Sequence, residues 1–418
     1  MDGHVERVAA GTASTKQGPL AGVRAICFEH MLQGPLASLL LSELGADVIK
    51  IEPLDGSVER KLTGRGQWVN GRTVLDLTVN RGKRSLAINL KDPRAKEIIH
   101  KLLETTDILT HNFRPGVMER LGFGYDELAP RFPKLVYGAA SGYGEDGPYR
   151  HRPGQDLLVQ AMSGFMYLQG RREDPPVPLG CALIDVHSGT LLALGCCAAL
   201  IQQRATGKGQ KIAVDLLASA FHLQFEPAAY SLNSNAPMIR GDGNLADPYH
   251  HAPYGVYATT DGYLAISTND MGKLAACLAS VERIDVPLDM ASEETFALRN
   301  ETRAKIARVI ARKSCAEWME IFAPAGVWAE PVRAAGPGFR DDPQVVHRGL
   351  VVNVPGPSPV DVLRIPITTE TSTLSGPGDD APFPGENSAD ILAELGFATA
   401  DIRAFQNEGV VGVRKPME

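Results

Sequence analysis

Short, nearly unbroken apolar runs alternate with helix-period stretches over the first half of the chain. An apolar run at 23–28 leads to Pro35, which suits the first turn of a helix over about 35–44, and Gly45 is placed to stop it. A second run at 47–52 follows, so strand, helix and strand succeed one another in the order that begins a parallel, doubly wound sheet. The unit then recurs. A strand at 86–90 precedes a helix over 93–104 that opens on Pro93; a strand at 107–112, a helix over 116–121 and a strand at 135–139 complete it. Residues 55–80, with Gly64, Gly66 and Gly71, lack periodicity and are expected as an irregular surface loop.

Pro153-Gly154 breaks the chain just before Asp156. Beyond it Leu157, Leu158, Ala161 and Phe165 fall at helical spacing and predict one buried face. Pro175, Pro176 and Pro178 lead to a long apolar helix over about 183–204. Thr206-Gly207-Lys208-Gly209-Gln210, expected as a hairpin turn, enters a strand at 211–214, and a helix starts near 215. Around 226–250 the periodicity dissolves. Runs at 254–258 and 263–267 around Thr259-Thr260-Asp261-Gly262 predict a hairpin. A charged helical region covers 291–322, so 230–330 is expected as a smaller α+β domain. Beyond 330 the chain is rich in Pro and Gly, with one further helix at 387–396. Residues 1–19 are expected as a loose tail.

Composition narrows the class. A chain of 418 residues is too long for one average domain, and 44% hydrophobic with 22% charged residues is ordinary for a globular protein. A net charge of -7 argues against nucleic acid as a partner while leaving room for a local basic patch. The six cysteines show no ligand spacing and are expected as reduced core thiols, which points to the cytoplasm. The first 20 residues hold no apolar core of a signal peptide, and no uninterrupted apolar run reaches about 18 residues, so no membrane span is expected.

Candidate chemistry is sparse. Gly142-Tyr143-Gly144-Glu145-Asp146-Gly147 follows a strand and matches the dinucleotide pattern, but Pro148 and Pro153 forbid the helix that should carry a pyrophosphate. Nicotinamide binding is set aside; the loop is flexible enough to fold over a neighbouring group. His250-His251 lacks further ligands, so no metal is expected, and Ser141 lacks the setting of a hydrolase elbow. Arg81, Lys83 and Arg84 form either a solvated face or a grip for the phosphates of a nucleotide-like ligand. Arg150, His151 and Arg152 are either a solvated loop or a greeting for a dicarboxylate. Asp156, at a helix start where free N–H groups keep a carboxylate ionised, is either a plain cap or a reactive group.

Five motifs in order carry a resemblance: Leu44-Gly45-Ala46-Asp47-Val48-Ile49-Lys50-Ile51-Glu52, Lys83-Arg84-Ser85, Asn112-Phe113-Arg114-Pro115-Gly116, Gly154-Gln155-Asp156 with Gln160-Ala161-Met162-Ser163-Gly164, and Thr206-Gly207-Lys208-Gly209-Gln210. With them the chain resembles, over nearly its whole length, the class III coenzyme A transferases, the family of formyl-CoA transferase and carnitine CoA-transferase, which also includes α-methylacyl-CoA racemases. The resemblance implies a large sheet domain from both chain ends (1–229 and 331–418), a small domain inserted at 230–330, and an interlocked homodimer. It implies a CoA thioester as substrate, with no tightly bound cofactor. His30, Met31, Leu32, Lys83, Arg84, Asn112, Phe113, Arg120, Ser141 and Gly142 are the matching positions expected near CoA, and Asp156 matches the nucleophile. Leu32 and Ser141 depart from formyl-CoA transferase, which has Gln and Lys there. Gln155 stands where racemases have His, which favours the transferase branch.

The expected reaction needs one carboxylate, charged at neutral pH without a base. It attacks the donor thioester to give a mixed anhydride and CoA thiolate. The thiolate returns to form an enzyme thioester, and an acceptor acid reverses the steps. Two alternatives stand: a racemase or other CoA-thioester enzyme, which would exchange the substrate's α-proton with solvent, and a non-catalytic acyl-CoA-binding protein, which would form no adduct.

Overall fold

A computed structural model describes residues 16–234, 237–243, 245–290, 292–354, 359–370, 374 and 380–413. The tail expected over 1–19 lies outside them as far as residue 15. The chain divides into two compact units: the first comprises residues 1–156, 182–219 and 339–418, the second 157–181 and 220–338.

The first unit is organised on six parallel strands: β1 (Arg24–Phe28), β2 (Asp47–Glu52), β3 (Arg84–Ala87), β4 (Ile108–His111), β5 (Val136–Ser141) and β6 (Lys211–Asp215), in spatial order 3-2-1-4-5-6. Strand residues alternate between two cores. Ile26, Phe28, Ile49 and Ile51 join the helix Pro93–Leu103 and the C-terminal helices Ser388–Glu394 and Thr399–Asn407. Ala25, Cys27 and Val48 pack with α1 (Gln33–Glu43) and the long helix Leu183–Thr206. Burial of both faces explains why the strands appear as continuous apolar runs. The order reverses between β1 and β4, and at that switch point the crevice beyond the strands' carboxyl ends is the general ligand site of such sheets.

Several expectations are corrected. The stretch 55–80 contains a small hairpin (Trp68–Val69 with Arg72–Thr73) and the helix Val74–Val79, capped by Thr73. Gly207 caps the long helix with φ 73°, and 206–210 joins a helix to a parallel strand, so it is no hairpin turn. The periodicity-poor 226–250 includes the helix Phe225–Leu232. Residues 330 onward hold the hairpin Val351–Val354 with Val360–Leu363 and a helix, Thr399–Asn407, beyond the expected one. Leu183–Thr206, the long apolar helix expected over about 183–204, is long and apolar enough by length and composition to cross a membrane; Leu192, Cys196, Ala199 and Leu200 pack it into the second core of the sheet unit.

The second unit joins Gly255–Ala258 and Tyr263–Ile266 as the expected hairpin and adds a third strand, Ala329–Pro331. The charged region resolves into Glu293–Ala297, Arg299–Ile310 and Cys315–Ala325, the last opened by a Ser314–Glu317 capping box. Trp318, Phe322, Ile306 and Leu274 form its core.

Candidate active site

Asn112 ties the two sides of the switch point together. Its side-chain amide donates to the His30 carbonyl at 2.8 Å, and its Oδ1 accepts from the His30 backbone N–H at 3.0 Å. A Cβ at Gly34 would lie 2.9 Å from the Asn112 side chain, so the first turn of α1 meets β4 only because residue 34 has none. The Phe113 ring lies 5.6 Å from that of His30 and 6.4 Å from that of Phe28. Arg120, exposed, folds back so that its Nη1 would be 3.1 Å from a Cβ at Gly116. His30, Met31, Leu32, Asn112, Phe113 and Arg120 therefore share the carboxyl-end side of the sheet. Met31 is a non-glycine residue at φ 65°, and its N–H donates to Glu59 at 3.2 Å. A left-handed residue held this way is a fixed, strained turn.

Beneath this loop lies a buried charge network. Lys83 donates to Glu29 at 2.7 Å, to the Pro35 carbonyl at 2.9 Å and to Asn80 at 3.2 Å. Lys50 reaches Glu59 at 2.8 Å and Glu29 at 3.6 Å. Burial would raise the Glu29 carboxyl, but Lys83 and Lys50 outweigh it and hold it below the usual carboxylate range. Glu59, whose burial acts the same way, is held down to about 2 chiefly by Lys50. All three Lys83 protons are engaged, so Lys83 is placed under the loop as support, with no donor left for a phosphate. Arg84 is placed elsewhere. It sits at the amino ends of the strands, paired with Asp47 at 2.7 Å and Glu394 at 2.6 Å. Arg81, in contact with Glu43, is likewise buried and is no solvated face.

On the other side of α1 lie β5 and the long helix, α2 (Leu183–Thr206). Ser141 Oγ accepts from the Gly144 N–H at 3.0 Å, and Lys211 pairs with Glu145 at 2.8 Å, so the 142–147 loop is pinned at both points. A Cβ on Gly142 would meet the Gly154 Cα at 2.5 Å; this glycine serves a close backbone crossing. Gln33 bridges from α1 to Ser188 Oγ at 2.5 Å and to the Ser141 carbonyl at 3.5 Å.

Asp156 begins a short helix ending at Met162, but the predicted apolar face is not the buried one: Leu157 and Leu158 are 52% and 45% exposed, and Val159 and Gln160 are buried. The Asp156 carboxylate itself is buried, and one oxygen accepts the backbone N–H groups of Ile184 at 2.8 Å and Asp185 at 3.1 Å. It caps α2, which has no cap of its own from Ala182. Asp185, in that same first turn, is a second carboxylate, partly buried. Burial, and then the neighbouring Asp156 charge, push it up from 3.8 to about 7. Ser188 and Gly189, three and four residues on, lie on the same helix side as Asp185 and meet Gln33 of α1. Asp185 escaped the sequence reading, although an acid in the first turn of an otherwise apolar helix was a visible signal. Among the described residues no cluster of His, Cys, Asp and Glu forms a metal site.

A 3-2-1-4-5-6 parallel sheet with a pinned switch-point loop and a paired carboxylate at a helix start defines an α/β protein whose ligand crevice lies at the switch point. A sequence profile described as CoA-transferase family III matches residues 20–388, and the chain belongs to that family of CoA-transferases. It is 31% identical to a succinyl-CoA:glutarate CoA-transferase of Mus musculus, over 81% of this chain and 80% of that protein. An acetyl-CoA:oxalate CoA-transferase of Acetobacter aceti is 32% identical over 82% and 88%. A CAIB/BAIF family protein of Brucella suis superposes with a TM-score of 0.78 at 29% identity, covering 91% of this chain and all of that one.

Proposed function

We propose that this CoA-transferase moves CoA from an acyl-CoA thioester to a free carboxylic acid through a covalent aspartyl intermediate on Asp185, with Asp156 as its positioning residue. The observation that carries this reading is the carboxylate pair at the start of α2. Asp156 is occupied in holding backbone N–H groups, whereas the basicity of Asp185 is raised above that of an ordinary aspartate, which makes it a strong nucleophile once ionised. The Asp185 carboxylate adds to the thioester carbonyl and the C–S bond breaks, leaving a mixed anhydride and CoA thiolate. The thiolate attacks the Asp185 carbonyl, and the donor acid leaves as its carboxylate. An acceptor carboxylate then attacks the Asp185 thioester, and thiolate returned to the acceptor's carbonyl frees the aspartate. CoA rests on the His30–Leu32, Asn112, Phe113 and Arg120 side of the sheet, with Ser141 and Gly142 at its edge; Arg84 has no part.

The working form we propose is a homodimer. Leu194 and Ile201 of α2 are 63% and 71% exposed, an apolar stripe that a second copy would cover. The test is to mix protein with succinyl-CoA or acetyl-CoA, quench with hydroxylamine and map the modified peptide. Modification at 185 is expected. Modification at 156 would restore the other carboxylate as nucleophile, and no adduct on either would refute the covalent route.

A further inference from the structure

The second unit carries a cavity of about 960 Å³ lined by none of the residues placed in the reaction above; its walls include Tyr230, Tyr249, His250, His251, Phe296 and Arg299. Five of these six side chains are rings. The Phe296 ring meets His251 edge-on at 5.3 Å, and His250 stacks on Tyr254 at 4.2 Å. The sixth is a cation that no carboxylate pairs with among the described residues. Arg299 lies over the Phe296 ring at 4.0 Å and donates one bond, to the Phe296 carbonyl at 3.0 Å, while its buried Nε has no acceptor. His251 Nδ1 is also buried without a partner. One turn on, Arg303 is 1% exposed, and its Nη1 is unpartnered; its other nitrogens hold the carbonyls of His250, His251 and Tyr254 at 2.7 to 3.3 Å, which fixes the cavity wall.

Among the described residues no carboxylate pairs with Arg299 or Arg303. Asp242, whose charge reaches Arg299, is already paired with Arg172 at 3.1 Å. Glu293 also lines the cavity, but it is solvent-exposed and makes no ion pair with either arginine. Two like charges at i and i+4, both desolvated, raise each other's cost. Burial accordingly lowers both arginines below their ordinary value. An anion that brings its own flat apolar body would relieve the charge, satisfy the Nε–H and fill the ring-lined space.

We infer that this cavity is a binding site for an aromatic carboxylate, with the carboxylate on Arg299 and the ring against Phe296 and His251. The site lies wholly within the second unit, and binding does not depend on which aspartate reacts. Calorimetric titration of the full chain with phenylacetate, benzyl alcohol and acetate tests it. Phenylacetate is expected to bind at least tenfold tighter than the ring without the charge or the charge without the ring. Arg299→Met is expected to weaken phenylacetate at least tenfold and to leave benzyl alcohol unchanged, while Asp185→Asn binds phenylacetate as the unaltered protein does. No binding of phenylacetate, equal affinity for the acid and the alcohol, or full affinity in Arg299→Met would overturn the assignment. The comparison of the three probes on unaltered protein stands even should Arg299→Met fail to fold.

Discussion

Asp185→Asn separates catalysis from stability in opposite directions. The native carboxyl is raised from 3.8 to about 7, so its proton is held more tightly in the folded chain than in the unfolded one. For an acid this sign means that the folded state is penalised wherever the group must ionise. The penalty is absent below about pH 4, grows as pH rises from 3.8 to 7, and is constant above. At about 1.4 kcal/mol per unit, three units amount to roughly 4 kcal/mol. Asn keeps the shape and removes the charge, at a loss of up to about 1 kcal/mol of interaction with the helix N-terminus. The variant should therefore be about 3 kcal/mol more stable at pH 8 and indistinguishable at pH 4, read from thermal or urea unfolding. CoA transfer, followed by mass spectrometry, should fall by at least ~10³-fold, since an amide cannot form the anhydride. Stability bought at the expense of activity is the mark of a strained functional group. A variant no more stable at pH 8, or one equally stabilised at pH 4, would refute the strained-carboxylate argument; retained transfer would refute the nucleophile.

Three further outcomes follow from the same geometry. Asp156→Asn removes the second cause of the raised Asp185 value, so the midpoint of the pH–rate profile should move below 7, with a capping loss of about 1 kcal/mol in unfolding experiments; an unmoved midpoint would show the pair to be uncoupled. Lys83→Met strands Glu29 in the core and should destabilise by about 3 kcal/mol in urea, while the folded fraction keeps its CoA affinity; lost affinity without lost stability would return Lys83 to the ligand. Gly142→Ala sets a Cβ against Gly154 and should lower stability by about 2 kcal/mol, measured by thermal unfolding, through a forced loop shift.

The parallel sheet was legible because β1 to β5 are buried on both faces and flanked by Pro or Gly at helix limits, as at Pro35, Gly45 and Pro93. Local pattern could not show which charged residues are inside. Arg81 and Lys83 are adjacent to other cations in sequence, yet their partners Glu43 and Glu29 are 38 and 54 residues away. The basic run was therefore open to two readings, and neither allowed for its burial. The switch-point candidates His30, Asn112 and Phe113 could be placed together because strand ends are set by topology. Asp156 was visible as a helix start, but the groups it caps belong to another helix 28 residues on, and no periodicity predicts that. The helix Phe225–Leu232 contains Pro227 and lies in a turn-rich stretch, where local signals oppose the helix that forms.

The buried charges explain why the switch-point loop can serve as a fixed surface. An interior of apolar residues would be more stable than Glu29, Lys50, Glu59 and Lys83, because desolvating ions costs more than their pairing returns. It would not, however, hold a specific backbone N–H. Glu59 takes the Met31 N–H and is itself fixed by Lys50, which also reaches the Glu29 carbonyl at 3.4 Å; Glu29 in turn accepts from Ser38 at 2.7 Å in the first helix of the sheet unit. Each member is directional, so the loop has one geometry, including the left-handed Met31. A ligand arriving at His30–Leu32 then meets a surface already fixed and has no loop ordering to drive. On the mechanism proposed above, the adaptable part falls to the carboxylate pair at the start of α2, where burial and the Asp156 charge raise Asp185.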